Sequence, residues 1–189
     1  VVLAGILLKV GGYGLLRIAY PIFPDAANEY AFTLALLGVI SIIYGGFNAL
    51  AQNDLKKMIA YSSVSHMGFV VLGIASLTAE GVNGAVYQMV SHGILSAMLF
   101  LIAGVLYDRT HNRLIDNYRG LIGPMPAFTV VTGIAFFASL GMPGFSGFVG
   151  ELFTLIGGFQ STVLPTWLAA SGTLGIILAA AYFLWTLQR

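Results

Sequence analysis

Residues Ala138–Phe153 read ASLGMPGFSGFVGELF. They lie in an apolar run long enough to cross a bilayer, yet Gly141, Pro143, Gly144, Gly147 and Gly150 interrupt it. A carboxylate, Glu151, follows directly. Non-helical backbone at membrane depth survives only where protein or a wet cavity satisfies its amides and carbonyls. An ionisable side chain beside such a break marks a candidate transport site, because a charge in lipid is costly unless it is paired or used. Partners for Glu151 have to come from other spans.

The composition supports a membrane setting. Apolar residues make up 58% of the chain and charged residues 8%, with a mean hydropathy of +0.92. Soluble domains carry about a quarter charged residues. The net charge of +1 gives no reason to expect a nucleic-acid partner. Cysteine is absent, which excludes disulfides, thiolate metal sites and a cysteine nucleophile. The sequence starts at Val1 inside the apolar stretch VVLAGILL, so it reads as an internal piece of a longer membrane protein. No metal-binding spacing, phosphate loop or nucleophile elbow is visible.

A transmembrane helix needs roughly 20 apolar residues. By that criterion the chain is an all-α integral membrane protein, a polytopic helix bundle of about six segments. These are residues 1–19, 31–51, 57–77, 82–107, 127–159 and 163–187, the fifth being discontinuous near Gly141–Gly150. Asn53 or Asp54 is placed to open the third segment, and Pro165 falls in the first turn of the sixth. Alternate connections divide the cations unequally. Lys56, Lys57, Arg109, Arg113, Arg119 and Arg189 share one side, and only Arg17 lies on the other. The positive-inside rule makes the richer side, with the Asp108–Pro126 loop, cytoplasmic.

Four ionisable residues lie well within spans: Lys9, His66, His92 and Glu151. A charge at mid-membrane costs at least ~2.5–3.5 kcal/mol on insertion scales. Lys9 can either snorkel to an interface on its aliphatic stem or serve at depth. His66 shares a helical face with Ser62, Ser65 and Phe69, and His92 with Gln88 and Ser96. Each histidine can be neutral packing glue between helices or part of a relay, since imidazole exchanges protons near neutrality. Glu151 can cap its half-helix or act as a titrating carboxylate. Lys56 and Lys57 read most simply as interfacial anchors, with Lys56 a candidate for a cytoplasmic entrance. His111 sits in a charged loop, and Tyr107, Trp167 and Trp185 read as interfacial or lipid-facing.

Four stretches carry a family resemblance: LAGILLKVGGYGLLR at residues 3–17, AQNDLKKMIAYSSVSHMGFV at 51–70, QMVSHGILSAMLFLIAGVLYDR at 88–109 and FFASLGMPGFSGFVGE at 136–151. In this order they resemble the antiporter-like membrane subunits of respiratory complex I. Glu151, where a related branch typically has lysine, resembles the subunit M branch of bacterial NADH-quinone oxidoreductase (mitochondrial and plastid subunit 4). The resemblance implies two inverted five-helix repeats, with residues 1–19 as the last helix of the first and 31–187 as the second. It also implies that Lys9 links two half-channels, that His66 and His92 lie on a central hydrophilic axis, and that Glu151 ends the second half-channel.

The function so implied is proton translocation along Lys9, His66, His92 and Glu151, driven by redox chemistry in other subunits. The chain itself would hold no cofactor; NADH, flavin, iron–sulfur clusters and quinone would belong to the partners. Those partners would be other membrane subunits, including neighbouring antiporter-like ones, in a bacterial inner membrane, with quinone met only indirectly. One rival is a subunit of a multisubunit Na⁺/H⁺ antiporter or of a membrane-bound hydrogenase. Another is an electron-transfer protein with His66 and His92 as axial ligands of a b-type haem.

Overall fold

The computed structural model describes residues 1–189, almost entirely as helices. We number them α1 (Leu3–Ile22), α2 (Pro24–Glu29), α3 (Ala31–Leu50), α4 (Leu55–Ala75), α5 (Ala79–Thr110), α6 (Pro126–Ser139), α7 (Ser146–Gln160) and α8 (Thr166–Gln188). Helix α1 is π-helical at Leu3–Leu7 and Leu15–Ala19. Five helices are long and apolar enough to cross a membrane: α1, α3, α4, α5 and α8. Helices α6 and α7, of 14 and 15 residues, are each too short to span alone. They are the two halves of the discontinuous segment.

The boundaries shift where caps decide them. Helix α4 starts at Leu55, ahead of the expected Lys57, because the Asp54 carboxylate accepts the Lys57 amide at 3.0 Å. Helix α5 starts at Ala79 because Thr78 Oγ1 accepts from the Gly81 amide at 3.1 Å. It runs through the first residues of the expected 108–126 loop and stops at His111, which adopts φ 51°. Pro165 is the residue before α8, not part of its first turn. The short α2, opened by Pro24, was not expected.

Helix α4 is the most enclosed of the spans and α1 the least. Helices α3 and α4 approach closely at Gly38 and Gly68, where a Cβ on Gly68 would lie 2.6 Å from the Gly38 carbonyl oxygen. Small residues give transmembrane helices this kind of backbone proximity. Two apolar clusters bracket the middle of the bundle. One contains Met58, Ile59, Leu99, Phe136, Tyr182 and Phe183; the other contains Ile42, Phe69, Leu72, Leu155 and Leu168.

The cation-rich ends form one face. The Leu55 amide donates to the Arg113 carbonyl and the Ile115 amide to the Asn53 carbonyl, both at 2.9 Å. Arg189 Nε meets Asp116 at 3.1 Å and its Nη2 donates to Asn53 at 3.2 Å. The start of α4, the loop after α5 and the end of α8 are thereby tied together. At the opposite face, Ser161 Oγ donates to the Ser76 carbonyl at 2.7 Å, joining the end of α7 to the turn between α4 and α5.

Candidate functional site

The break between α6 and α7 runs through two glycines with positive φ, Gly141 at 77° and Gly144 at 101°. That backbone region disfavours a Cβ. At Gly141 space is short as well as conformation: a Cβ there would stand 2.8 Å from Glu151 Oε2. The turn is closed by the Phe145 amide donating to the Met142 carbonyl at 3.1 Å, and Pro143 fits between because it needs no amide partner. Ser146, the first residue of α7, accepts a 2.8 Å hydrogen bond from Ser91 of α5. Glu151 lies in the second turn of α7. It does not cap the half-helix. The residue is 2% exposed, and its carboxylate is directed across the bundle.

Glu151 Oε1 lies 2.8 Å from His66 Nδ1 on α4, and Gln88 on α5 donates to the same oxygen at 3.5 Å. The other ring nitrogen of His66, Nε2, lies 3.2 Å from the Tyr182 hydroxyl on α8. The His66 and His92 rings have centroids 5.4 Å apart, tilted by 47°. His92 Nδ1 in turn meets Lys9 Nζ of α1 at 2.6 Å. Lys9 also donates to the Ala4 carbonyl at 2.5 Å. Its amine therefore points into the bundle, so the snorkelling reading does not hold.

The spatial order is Lys9, His92, His66, Glu151. This corrects the order given by residue number, because His92 of α5 meets Lys9 while His66 of α4 meets Glu151. A small polar cavity sits where the two histidines meet. It is bounded by Ser62, Ser63, His66, Gln88, His92, Ser96, Ser139, Gly147 and Glu151, among others, and is of a size for about one water molecule. Ser139 Oγ and Gln88 Oε1 are buried there without a partner in the chain. Ser62, Gln88 and Ser96 thus join the site as their spacing indicated. Ser65 does not; its hydroxyl donates to the Ile42 carbonyl of α3 at 2.9 Å.

Lys56 stands apart. It is exposed and borders a separate surface cavity with Tyr107, Asn112, Arg113 and Tyr118, roughly 15 Å along α4 from His66 at 1.5 Å per residue. Tyr182 was missed in the sequence. Its only signal there is a phenol in the middle of an otherwise oily helix. The haem reading fails on geometry: two axial histidines need a porphyrin between them, and these rings enclose a space for about one water.

A broken helix whose Glu151 faces ionisable groups from three other spans, His66, His92 and Lys9, defines a polytopic membrane bundle of the antiporter-like fold. The family model described as NADH:quinone oxidoreductase/Mrp antiporter, TM matches residues 1–178, and the chain belongs to that family. It is 53% identical over 184 residues to NADH-quinone oxidoreductase subunit M of Rickettsia bellii (strain RML369-C), covering 97% of this chain and 37% of that one. A chain of respiratory complex I from Thermus thermophilus superposes with a TM-score of 0.90 at 39% identity, over 95% of this chain and 38% of that one. A chain of the Mrp complex from Dietzia sp. DQ12-45-1b gives 0.86 at 24% identity over 95% and 33%, a likeness of fold. The chain spans a little over a third of the length of the curated relatives it matches.

Proposed function

We propose that this chain forms part of a proton pathway in a subunit of a proton-pumping NADH-quinone oxidoreductase. The observation that carries the proposal is the series running from half-buried Lys9 to buried His92, His66 and Glu151, in hydrogen-bond contact at both ends. Protons would move between Lys9 and His92 directly, from His92 to His66 through water in the small cavity, and between His66 and Glu151 directly. A charge gained by one member biases its neighbours, because unlike and like charges interact strongly where water does not screen them. The energy would come from redox groups in other subunits.

In this proposal α1 is the last helix of a first repeat, and α3, α4, α5, the α6–α7 pair and α8 are the five spans of a second. The cation-rich face is cytoplasmic, in a bacterial inner membrane, and neighbouring membrane subunits are the partners. The specific test is proton pumping in vesicles containing the assembled complex with the full-length subunit. Glu151→Gln and Lys9→Ala should each lower the protons moved per electron while the complex still assembles. The Mrp antiporters within the matched family keep one rival, exchange of Na⁺ for protons at the same residues. Pumping that requires Na⁺, or copurification with antiporter subunits, would favour that rival.

A further inference from the structure

We infer that Tyr182 is a positioning residue of this site, whose hydroxyl holds Nε2 of His66 so that the Nδ1 proton of the ring faces Glu151. The inference rests on the relay proposed above and adds a residue from α8 to it.

Tyr182 is fully buried, in the run LAAAYFLW at residues 178–185. A phenol hydroxyl removed from water is costly unless it is bonded, and its one hydrogen-bond partner in the chain is His66 Nε2. A neutral imidazole has one donor nitrogen and one acceptor nitrogen. An ionised Glu151 can only accept, so at 2.8 Å the proton has to reside on Nδ1. Nε2 is then the acceptor, and the tyrosine hydroxyl donates to it. While Glu151 is ionised, both hydrogen bonds are satisfied together in this tautomer alone. In the other, a bare Nδ1 would face a carboxylate oxygen, and the phenol would have to accept instead.

When His66 carries a second proton, the hydroxyl turns to accept from Nε2 without any movement of heavy atoms. Phe183 stacks on the same imidazole with centroids 6.2 Å apart and planes 23° apart, so the ring is held on its face as well as its edge. The titratable groups around His66 are Glu151 from α7, His92 from α5 and Tyr182 from α8. Lys9 acts through His92. Helix α6 offers Ser139, and α3 offers no titratable group to the ring.

The test uses the assembled complex with Tyr182→Phe, which keeps the aromatic volume beside Phe183. The rate of proton pumping should fall roughly five-fold, the scale of one lost hydrogen bond to a buried acceptor. Turnover-induced infrared difference spectra should show the tautomer-sensitive histidine ring band moving away from its wild-type position. In a His66→Ala background the same substitution should change nothing further, whereas a purely structural role would give the same loss in both backgrounds. Wild-type pumping, an unmoved ring band or equal losses in the two backgrounds would each overturn the inference.

If Tyr182→Phe lowers assembly, 3-fluorotyrosine at position 182 keeps the packing and strengthens the donor. It should shift the ring band, and an unchanged band overturns the assignment. The outcomes separate the two proposals. Wild-type pumping in His66→Ala removes the relay and this inference with it. A loss in His66→Ala with none in Tyr182→Phe removes the inference alone.

Discussion

The two ends of the ionisable series are built in opposite ways. Glu151 lies where α4, α5, α6, α7 and α8 converge, against the backbone of Gly141 and hydrogen-bonded to His66. Lys9 sits half-buried on α1, which leaves Leu3, Ile6, Val10 and Tyr13 exposed. An open apolar groove runs beside it between α1 and α5. The carboxylate end is therefore fixed by the packing of these five helices. The amine end is fixed by two hydrogen bonds, to His92 and Ala4, and by little packing. A substitution that adds bulk around Glu151 should disturb structure and function together, while one on the exposed face of α1 should leave the packing unchanged.

The sharpest way to break this contrast is to add a methyl group at a glycine on each helix. At Gly150 of α7 a Cβ would meet the Gln88 Cβ and Cα at 2.8 and 2.9 Å. Gly150→Ala should push α7 off α5 and cost about 1–3 kcal/mol or more, as overpacking does, read as lost assembly or a lower unfolding temperature. At Gly11 of α1 nothing lies within 4 Å. Gly11→Ala should be neutral or stabilising by about 0.5–1 kcal/mol through helix propensity. Equal damage at the two positions would mean that α1 is packed as tightly as α7.

The next effect belongs to Gly141→Ala. A left-handed backbone costs an alanine roughly 1–2 kcal/mol, and the methyl would also crowd Glu151 Oε2 at 2.8 Å. The variant should assemble in reduced amount and pump less per electron than its abundance explains. A loss confined to abundance would separate the break from the carboxylate. His66→Ala should be milder than Glu151→Gln in pumping assays, because water can enter the space left by the imidazole beside a polar cavity. Lys56→Ala should have the smallest effect, since the residue is exposed and borders a different cavity. A pumping loss there comparable to that of Lys9→Ala would restore Lys56 as an entrance.

Much of the fold was legible in the sequence because its signals are local. Hydropathy gives six spans, and glycine and proline give the break. Lysine and arginine group the ends that Arg113, Asp116 and Arg189 tie together in space. A buried charge is conspicuous in an oily run, so Lys9, His66, His92 and Glu151 were each visible singly. Their order was not, because it depends on which helix lies beside which, and residue number carries no such information. Tyr182 was hidden for a related reason. An aromatic ring in a span counts as apolar until a tertiary contact occupies its hydroxyl. Ser65 shows the reverse: its spacing places it near His66, but α3 takes its hydroxyl instead.

The proposed function requires the two unlike ends to belong to one pathway. The direct measurement is the number of protons moved per electron in vesicles carrying wild type, Glu151→Gln, Lys9→Ala and the double variant. A shared pathway predicts that both single variants lower the ratio with the complex assembled, and that the double variant is little worse than the more damaging single one. An unchanged ratio in both single variants, or losses that simply multiply in the double variant, would contradict it.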